Sequence, residues 1–223
     1  MLKIYGVPSR DFVRWISEII IGKNLDKWVD LGCGNGNYLQ SLKITFKQGI
    51  AVDTAEKIPN LPNNFIYENC FVDEWLKKNK IANFDLISMF DLVEHFPKEE
   101  ALVLINKAKN LTNNLLITTP LGFLKQDAAT HPEFANNPYL WHRSGFSPED
   151  FERNGFLVFA LRNYHYKPIG NNKSFDKLVC FWTKNQSQYL SLNFLIRIKN
   201  AIYLLWPIHF YRMIRDTIIK PFF

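Results

Sequence analysis

Long uncharged apolar runs are missing from this 223-residue chain. A membrane-spanning helix needs about 18 such residues, and the nearest approach, Ala201–Tyr211, is short and interrupted by Pro207 and His209. Cysteine is scarce. Cys33, Cys70 and Cys180 lie far apart, with neither CxxC spacing nor an even-numbered framework, so they suit small apolar core positions in a reducing compartment better than disulfides or zinc. Met1 to Arg10 lack the basic-then-apolar pattern of a secretory leader, and a cytoplasmic location is expected. Charge of one sign is also scarce outside the C-terminal segment. The net charge is +6, from 27 basic and 21 acidic residues. Residues 190–223 hold Arg197, Lys199, Arg212, Arg215 and Lys220 against Asp216, a local +4, which leaves the rest of the chain at only +2. Nucleic-acid enzymes spread a basic stripe over the body, and no nucleic-acid partner is expected here.

What is present is apolar and aromatic. Hydrophobic residues make up 47% of the chain and aromatics 15%, a content that argues against disorder. Pro8-Ser9 followed by Phe12, Val13, Ile16, Ile19 and Ile20 predicts an amphipathic helix ending at Gly22. Apolar strands are expected at Lys27–Leu31, Gly49–Asp53, Phe65–Asn69, Phe84–Phe90 and Asn114–Thr119. Helices are expected from Asn35 or Gly36 to about Phe46, over Val72–Lys80 and over Lys98–Asn110. That alternation means a parallel sheet covered on both faces. After Pro120 the rhythm breaks. Residues 121–146 carry His, Asn, Pro and aromatics without a period, and a long loop in a compact domain is usually functional. Ser147-Pro148-Glu149-Asp150 then opens a short helix ending near Asn154-Gly155, and Phe156–Tyr166 with Lys177–Lys184 reads as a closing hairpin.

The strongest signal is Trp28-Val29-Asp30-Leu31-Gly32-Cys33-Gly34-Asn35-Gly36. A strand turns sharply into a helix there, and residues without Cβ let the backbone approach a ligand. A phosphate-binding P-loop needs Gly-Lys-Ser/Thr, which is absent. The dinucleotide fingerprint would put its last glycine at 37, where Asn37 stands. Asp30 just before the first glycine suits a ligand with an ammonium group and no pyrophosphate. Asp53 ends the second strand 23 residues later, where doubly wound folds place a carboxylate for ribose hydroxyls.

Val29–Gly36 with Asp53, Phe84-Asp85-Leu86-Ile87 and Asp91-Leu92-Val93-Glu94-His95 resembles the class I S-adenosylmethionine-dependent methyltransferases over roughly residues 25–185. The resemblance implies a Rossmann-like, doubly wound, seven-stranded sheet with its last strand antiparallel. It implies that Asp30, Gly32 and Gly34, with Cys33 between them, line the methionine end of S-adenosylmethionine, that Asp53 holds the ribose, and that Phe90 and Asp91 lie beneath the sulfonium. Many relatives carry an acid near the adenine at the end of strand three. Asn69-Cys70-Phe71 stands there instead, so the adenine contact falls to a backbone amide at Cys70–Phe71 and to the Phe71 ring. Thr119–Phe123, Asn137–Tyr139 and His142–Phe146 are similar to methyltransferase-like proteins encoded among surface-polysaccharide and glycolipid genes. That likeness implies a sugar hydroxyl or carboxyl as acceptor.

Methyl transfer to oxygen calls for positioning and a base that titrates near neutrality. His95, after strand four, and His142, before the helix at 147, compete for that role beside Asp91, with loop-anchoring as the alternative reading for each histidine. A divalent ion among Asp91, Asp127, His131, Glu133 and His142 finds no support in ligand spacing, so no metal is expected. The domain is drawn as residues 1–186, followed by a basic, aromatic helical tail over 187–223. In that tail Asn193, Arg197 and Asn200 form a narrow polar stripe. The apolar remainder, with Tyr203, Trp206 and Tyr211, suits peripheral contact with a membrane through residues 190–220, or packing on the domain or a second subunit. The sequence thus reads as an enzyme acting on a small-molecule or glycolipid substrate at the cytoplasmic membrane face. A quinone-type lipid acceptor and an inactive, cofactor-binding scaffold are the alternatives.

Overall fold

The computed structural model describes residues 4–5, 25–42, 44–56, 58, 61–80, 83–165 and 175–185. The amphipathic helix expected over 8–22, the loop at 166–174 and the tail at 187–223 lie outside the described residues. Eight strands form one sheet: β1 (Ile4–Tyr5), β2 (Leu25–Leu31), β3 (Phe46–Asp53), β4 (Phe65–Asn69), β5 (Leu86–Phe90), β6 (Asn114–Pro120), β7 (Leu157–His165) and β8 (Phe175–Thr183). Their order is β1-β7-β8-β6-β5-β2-β3-β4. Strands β2 to β6 pair in parallel. β8 slots between β6 and β7 and is antiparallel to both. The seven expected strands are therefore all present with the last one reversed. The two-residue β1, parallel to the middle of β7, is an addition that the sequence pattern did not show.

The helices are α1 (Asn37–Ser41), α2 (Val72–Lys78), α3 (Lys98–Leu111) and α4 (Pro148–Glu152). α3 buries Ala101, Leu104, Ile105, Ala108 and Leu111, the single stripe that its spacing predicts. One face of the sheet packs against α2, α3 and α4 through residues such as Trp75, Ile105 and Phe151. The other face is an apolar layer around Trp28, whose ring meets Phe46 and Phe65 edge-on at 5.2 and 5.1 Å. α1 stops at Ser41, well short of the expected Phe46. The β-branched and aromatic run Ile44-Thr45-Phe46 favours extended backbone, and β3 accordingly begins three residues early. β5 begins two residues late: Phe84 makes only an isolated bridge to Thr112, and at Asp85 the carboxylate accepts the amides of Asp26 and Lys27, both at 2.9 Å.

The chain runs outward from β2 to β3 and β4, then crosses back to β5 and β6. The carboxyl ends of β2 and β5 therefore form the switch point at which ligands bind in open α/β sheets. The register puts Asp30 of β2 against Ser88 of β5. Residues 121–146 leave this edge and return to it. Leu121 and Gly122 bridge to Phe146, with Gly122 N–H donating to the Phe146 carbonyl at 2.8 Å. The arms cross so closely that a Cβ on Gly145 would lie 2.5 Å from the Phe123 amide nitrogen. Backbone cannot swing aside as a side chain can. Gly145→Ala is expected to lower stability by about 1–3 kcal/mol, as overpacking does. Thermal unfolding checks this, and an unchanged midpoint would show that the arms do not cross in this way.

Candidate active site

The glycine bend is built by backbone needs. Gly32, Gly34 and Gly36 all have positive φ, at 72°, 55° and 79°, a region that favours glycine. A Cβ on Gly32 would meet Leu92 at 2.5 Å, whereas one on Gly34 would meet nothing within 4 Å. Gly32 thus lets the loop after β5 pack closely, and Gly34 faces open space. Gly34 N–H donates to Asp53 Oδ2 at 2.8 Å, and Ala55 N–H donates to Oδ1 at 3.0 Å. Asp53 therefore ties the bend to the end of β3 while its oxygens keep acceptor capacity. At the same strand end Tyr67 donates to the carbonyls of Asp53 and Ala55, and Asn69 Nδ2 donates to Ala55 O at 2.6 Å.

Asp30 is buried. The Ser88 hydroxyl donates to Oδ1, while Oδ2 has no hydrogen-bond partner. Burial lifts its pKa to about 8; Ser88 opposes the rise, and Asp53 adds to it. A buried carboxylate without a cation takes a proton instead. An orphaned acid beside a side-chain-free bend fits a ligand with an ammonium group, and this is the test that S-adenosylmethionine passes here.

Beneath the bend lies a group the sequence reading missed. Lys177 of β8 is fully buried, and its Nζ lies 2.6 Å from Asp91 Oδ2. Tyr38, on α1, donates to the same oxygen at 2.8 Å and accepts from Lys177, while its ring stacks on Phe90 at 4.7 Å. Asp91 sits at φ 50°, the one positive non-glycine φ among the described residues. It is held there by Thr118, whose carbonyl accepts its amide at 2.9 Å and whose hydroxyl donates to Oδ1 at 3.2 Å. Breaking a buried pair on one side costs about 3–5 kcal/mol, so this triad fixes β5, β8 and α1 together. Two signals could have revealed it: a lone charge in the otherwise apolar run Lys177-Leu178-Val179-Cys180-Phe181, and a tyrosine two residues past the last glycine.

One turn beyond Asp91, the buried Glu94 meets both histidines. Glu94, His95 and His142 each place one donor atom within 4.8 Å of the others, and the two imidazoles lie 5.0 Å apart, edge to face. His95 Nδ1 faces the Trp141 carbonyl at 3.2 Å, and His142 Nδ1 faces the Leu124 carbonyl at 2.6 Å. A carbonyl only accepts, so each Nδ1 carries a proton. Burial holds His95 below its ordinary pKa and so neutral. The loop closes over this group: Arg143 N–H and Ser144 N–H both donate to the Glu94 carbonyl, at 2.7 and 3.2 Å. Asp127, His131 and Glu133 are occupied locally. Asp127 Oδ1 caps Ala129 and Thr130, and His131 Nδ1 lies 3.0 Å from Glu133 Oε1.

The structure brings together Asp30, Gly32, Gly34, Asp53, Asp91, His95 and His142 around the switch point, and it adjusts the expectation for the other cofactor positions. Cys33 lies in the apolar layer with Trp28 and Leu39; its amide donates to Val52 and its carbonyl accepts from Gly36, so it builds the bend. The Cys70 amide donates to the Asp53 carbonyl at 3.1 Å. Phe90 is buried and carries Tyr38. Phe71 is exposed and pairs with Tyr139 of the long loop at 5.4 Å.

A family model described as "Methyltransferase domain" matches residues 9–168. The chain belongs to that family. It is an enzyme, an S-adenosylmethionine-dependent methyltransferase. No curated protein matches the chain. Among solved structures, the N-terminal domain of EvdMO1, crystallised with S-adenosylhomocysteine and D-fucose, is 12% identical at a TM-score of 0.53, covering 79% of this chain and 82% of that one. The N-methyltransferase NodS of Bradyrhizobium japonicum is 10% identical at 0.51, with 78% and 94% covered. A cyclopropane-fatty-acyl-phospholipid synthase-like protein of Lactobacillus casei is 12% identical at 0.52, with 78% and 90% covered. At such identities the likeness is one of fold.

The Asp30 environment sets a pH dependence for this methyltransferase. An acid whose pKa is raised from 3.8 to about 8 on folding binds its proton more tightly in the native state, so its contribution to stability is full below the unfolded pKa and falls as pH rises toward about 8. Asp30→Asn is expected to make the loss of stability between pH 5 and 8 shallower. Denaturant titrations across that range check it, and a slope equal to that of the native protein would contradict the burial of the acid.

Proposed function

We propose that this methyltransferase O-methylates a sugar or glycolipid precursor at the cytoplasmic face of a membrane. S-adenosylmethionine, when bound, supplies a methyl carbon made electrophilic by its sulfonium. In this reading Asp30 takes the amino group, the Gly34 stretch admits the methionine portion, and Asp53 accepts from the ribose hydroxyls. Asp91, locked by Lys177 and Tyr38, forms the floor. The His95–His142 edge receives the acceptor oxygen, and the 121–146 loop keeps bulk water from it.

One observation supports an acceptor with both an apolar face and polar edges. A cleft of about 430 Å³ opens at the crossing of the loop arms, lined by Lys98, Leu121, Phe123, Arg143, Ser147 and Asp150. Phe123 is more than half exposed there, so an aromatic face stands beside charged and hydroxyl groups, a mixture suited to the apolar face and polar edge of a sugar. The fold-level likeness to the EvdMO1 domain, crystallised with D-fucose, agrees by analogy only.

With radiolabelled S-adenosylmethionine, transfer is expected onto nucleotide-linked sugars or glycolipid headgroups; incorporation confined to prenylated hydroquinones would overturn the acceptor assignment. Calorimetry with S-adenosylhomocysteine is expected to show binding by the native chain that Gly34→Val abolishes, because an isopropyl group at φ 55° both strains the bend and fills the open space. Folded native protein that bound no S-adenosylhomocysteine would support the inactive-scaffold reading instead. The membrane part of the proposal rests on the +4 balance and aromatic flanks of residues 190–223. About 1 kcal/mol per basic residue near an anionic leaflet makes that tail a contributor to membrane binding. Removing residues 187–223 is expected to abolish flotation with anionic liposomes and to leave S-adenosylhomocysteine affinity intact. Among the described residues no helix is long and apolar enough to cross a membrane. Continued flotation of the truncated chain would remove the tail from the account.

A further inference from the structure

We infer that Glu94, His95 and His142 form a binding site for one divalent transition-metal ion, of the manganese or zinc type, set where the acceptor oxygen is received. This rests on the acceptor side of the function proposed above and names the group that holds the acceptor there.

Three observations converge. The first is the donor set: two imidazoles and a carboxylate with one atom each inside 4.8 Å, a set that suits first-row divalent ions and leaves coordination positions open for water or substrate. The second is the orientation of the rings. Nδ1–H of each histidine is committed to a backbone carbonyl, Trp141 for His95 and Leu124 for His142. Ligating histidines are ordinarily held this way, their second nitrogen donating to an outer partner that fixes the tautomer and raises the basicity of the ligand nitrogen. Nε2 is then the ligand atom on both rings. The two carbonyls come from opposite ends of the long loop, so the loop itself aims both ligands.

The third is Glu94. It is 2% exposed, and neither Oε1 nor Oε2 makes a hydrogen bond. Its backbone carbonyl is doubly satisfied by Arg143 and Ser144, so the local chain is well ordered while the carboxylate is left bare. Burying an acid without a partner is costly. Lys177, the nearest ammonium, lies against Asp91. The Thr119 hydroxyl and Lys177 both favour its charged form, but neither Oε1 nor Oε2 closes a hydrogen bond to a protein group. A cation between Glu94 and the two imidazoles supplies the missing partner for the carboxylate. The open positions of such an ion would accept two neighbouring oxygens of the acceptor, an arrangement that a vicinal diol of a sugar provides.

The test uses the full chain, stripped with chelator and titrated with manganese(II) chloride, bound ion being counted by electron paramagnetic resonance of the free ion. S-adenosylhomocysteine binding is measured in parallel. The expected result is saturable binding of one ion per chain, weakened roughly 100-fold or more in both Glu94→Gln and His142→Ala, more than loss of an outer-shell partner costs, together with a metal-dependent rise in melting temperature that Glu94→Gln lacks. Glu94→Gln keeps the shape of the side chain, so it remains informative if His142→Ala fails to fold. No saturable binding by the native chain, or stoichiometric binding equally tight in Glu94→Gln, would overturn the site. If S-adenosylhomocysteine binds and manganese does not, the metal site fails alone; if manganese binds and S-adenosylhomocysteine does not, it is the methyltransferase reading that fails.

Discussion

A single buried ammonium organises this site. Lys177 reaches from β8, the reversed strand, to Asp91 at the end of β5, and through Tyr38 it touches the helix that follows the glycine bend. Three elements distant in sequence are thereby fixed by one ion pair in a region of low polarity, where losing either partner leaves an uncompensated charge. The positive φ of Asp91 is maintained by this pair together with Thr118. Strain of that kind persists only where the surroundings over-determine it.

The same junction carries more acid than base. Asp91 has its cation, and Asp53 has two backbone amides. Asp30 and Glu94 are both buried with at least one bare oxygen, and both have pKa values pushed to about 8, by burial first and by a neighbouring carboxylate as well. Near neutrality a proton stands in on Asp30. Perturbed groups of this sort cluster where ligands bind. In this account the two vacant carboxylates sort the ligands by position: Asp30, at the glycine bend, for the ammonium group of the cofactor, and Glu94, under the long loop, for a cation on the acceptor side.

Much of this was readable in the sequence, and the rest was hidden for physical reasons. The strands announced themselves because both faces of a parallel sheet are covered, which makes continuous apolar runs such as Leu86–Phe90. The bend announced itself because its glycines are required by φ. Strand starts were less legible, since the Asp85 carboxylate caps the amides of Asp26 and Lys27, a tertiary contact. Cys33 and Cys70 were expected at the cofactor by their place in the motif, and the backbone pairing of their amides with Val52 and Asp53 was not legible there. Lys177 and Glu94 escaped notice because their partners lie 86 and roughly 50 positions away, a separation that only the closed sheet and the folded-back loop convert into contact.

The most direct test is a crystal structure of the full chain with S-adenosylhomocysteine. The account predicts the ligand's amino group within hydrogen-bond distance of Asp30 Oδ2, its ribose hydroxyls on Asp53, and its sulfur facing Asp91 and the His95–His142 edge. A ligand bound elsewhere, or a glycine bend closed over by the protein's own side chains with Asp30 still bare, would contradict it.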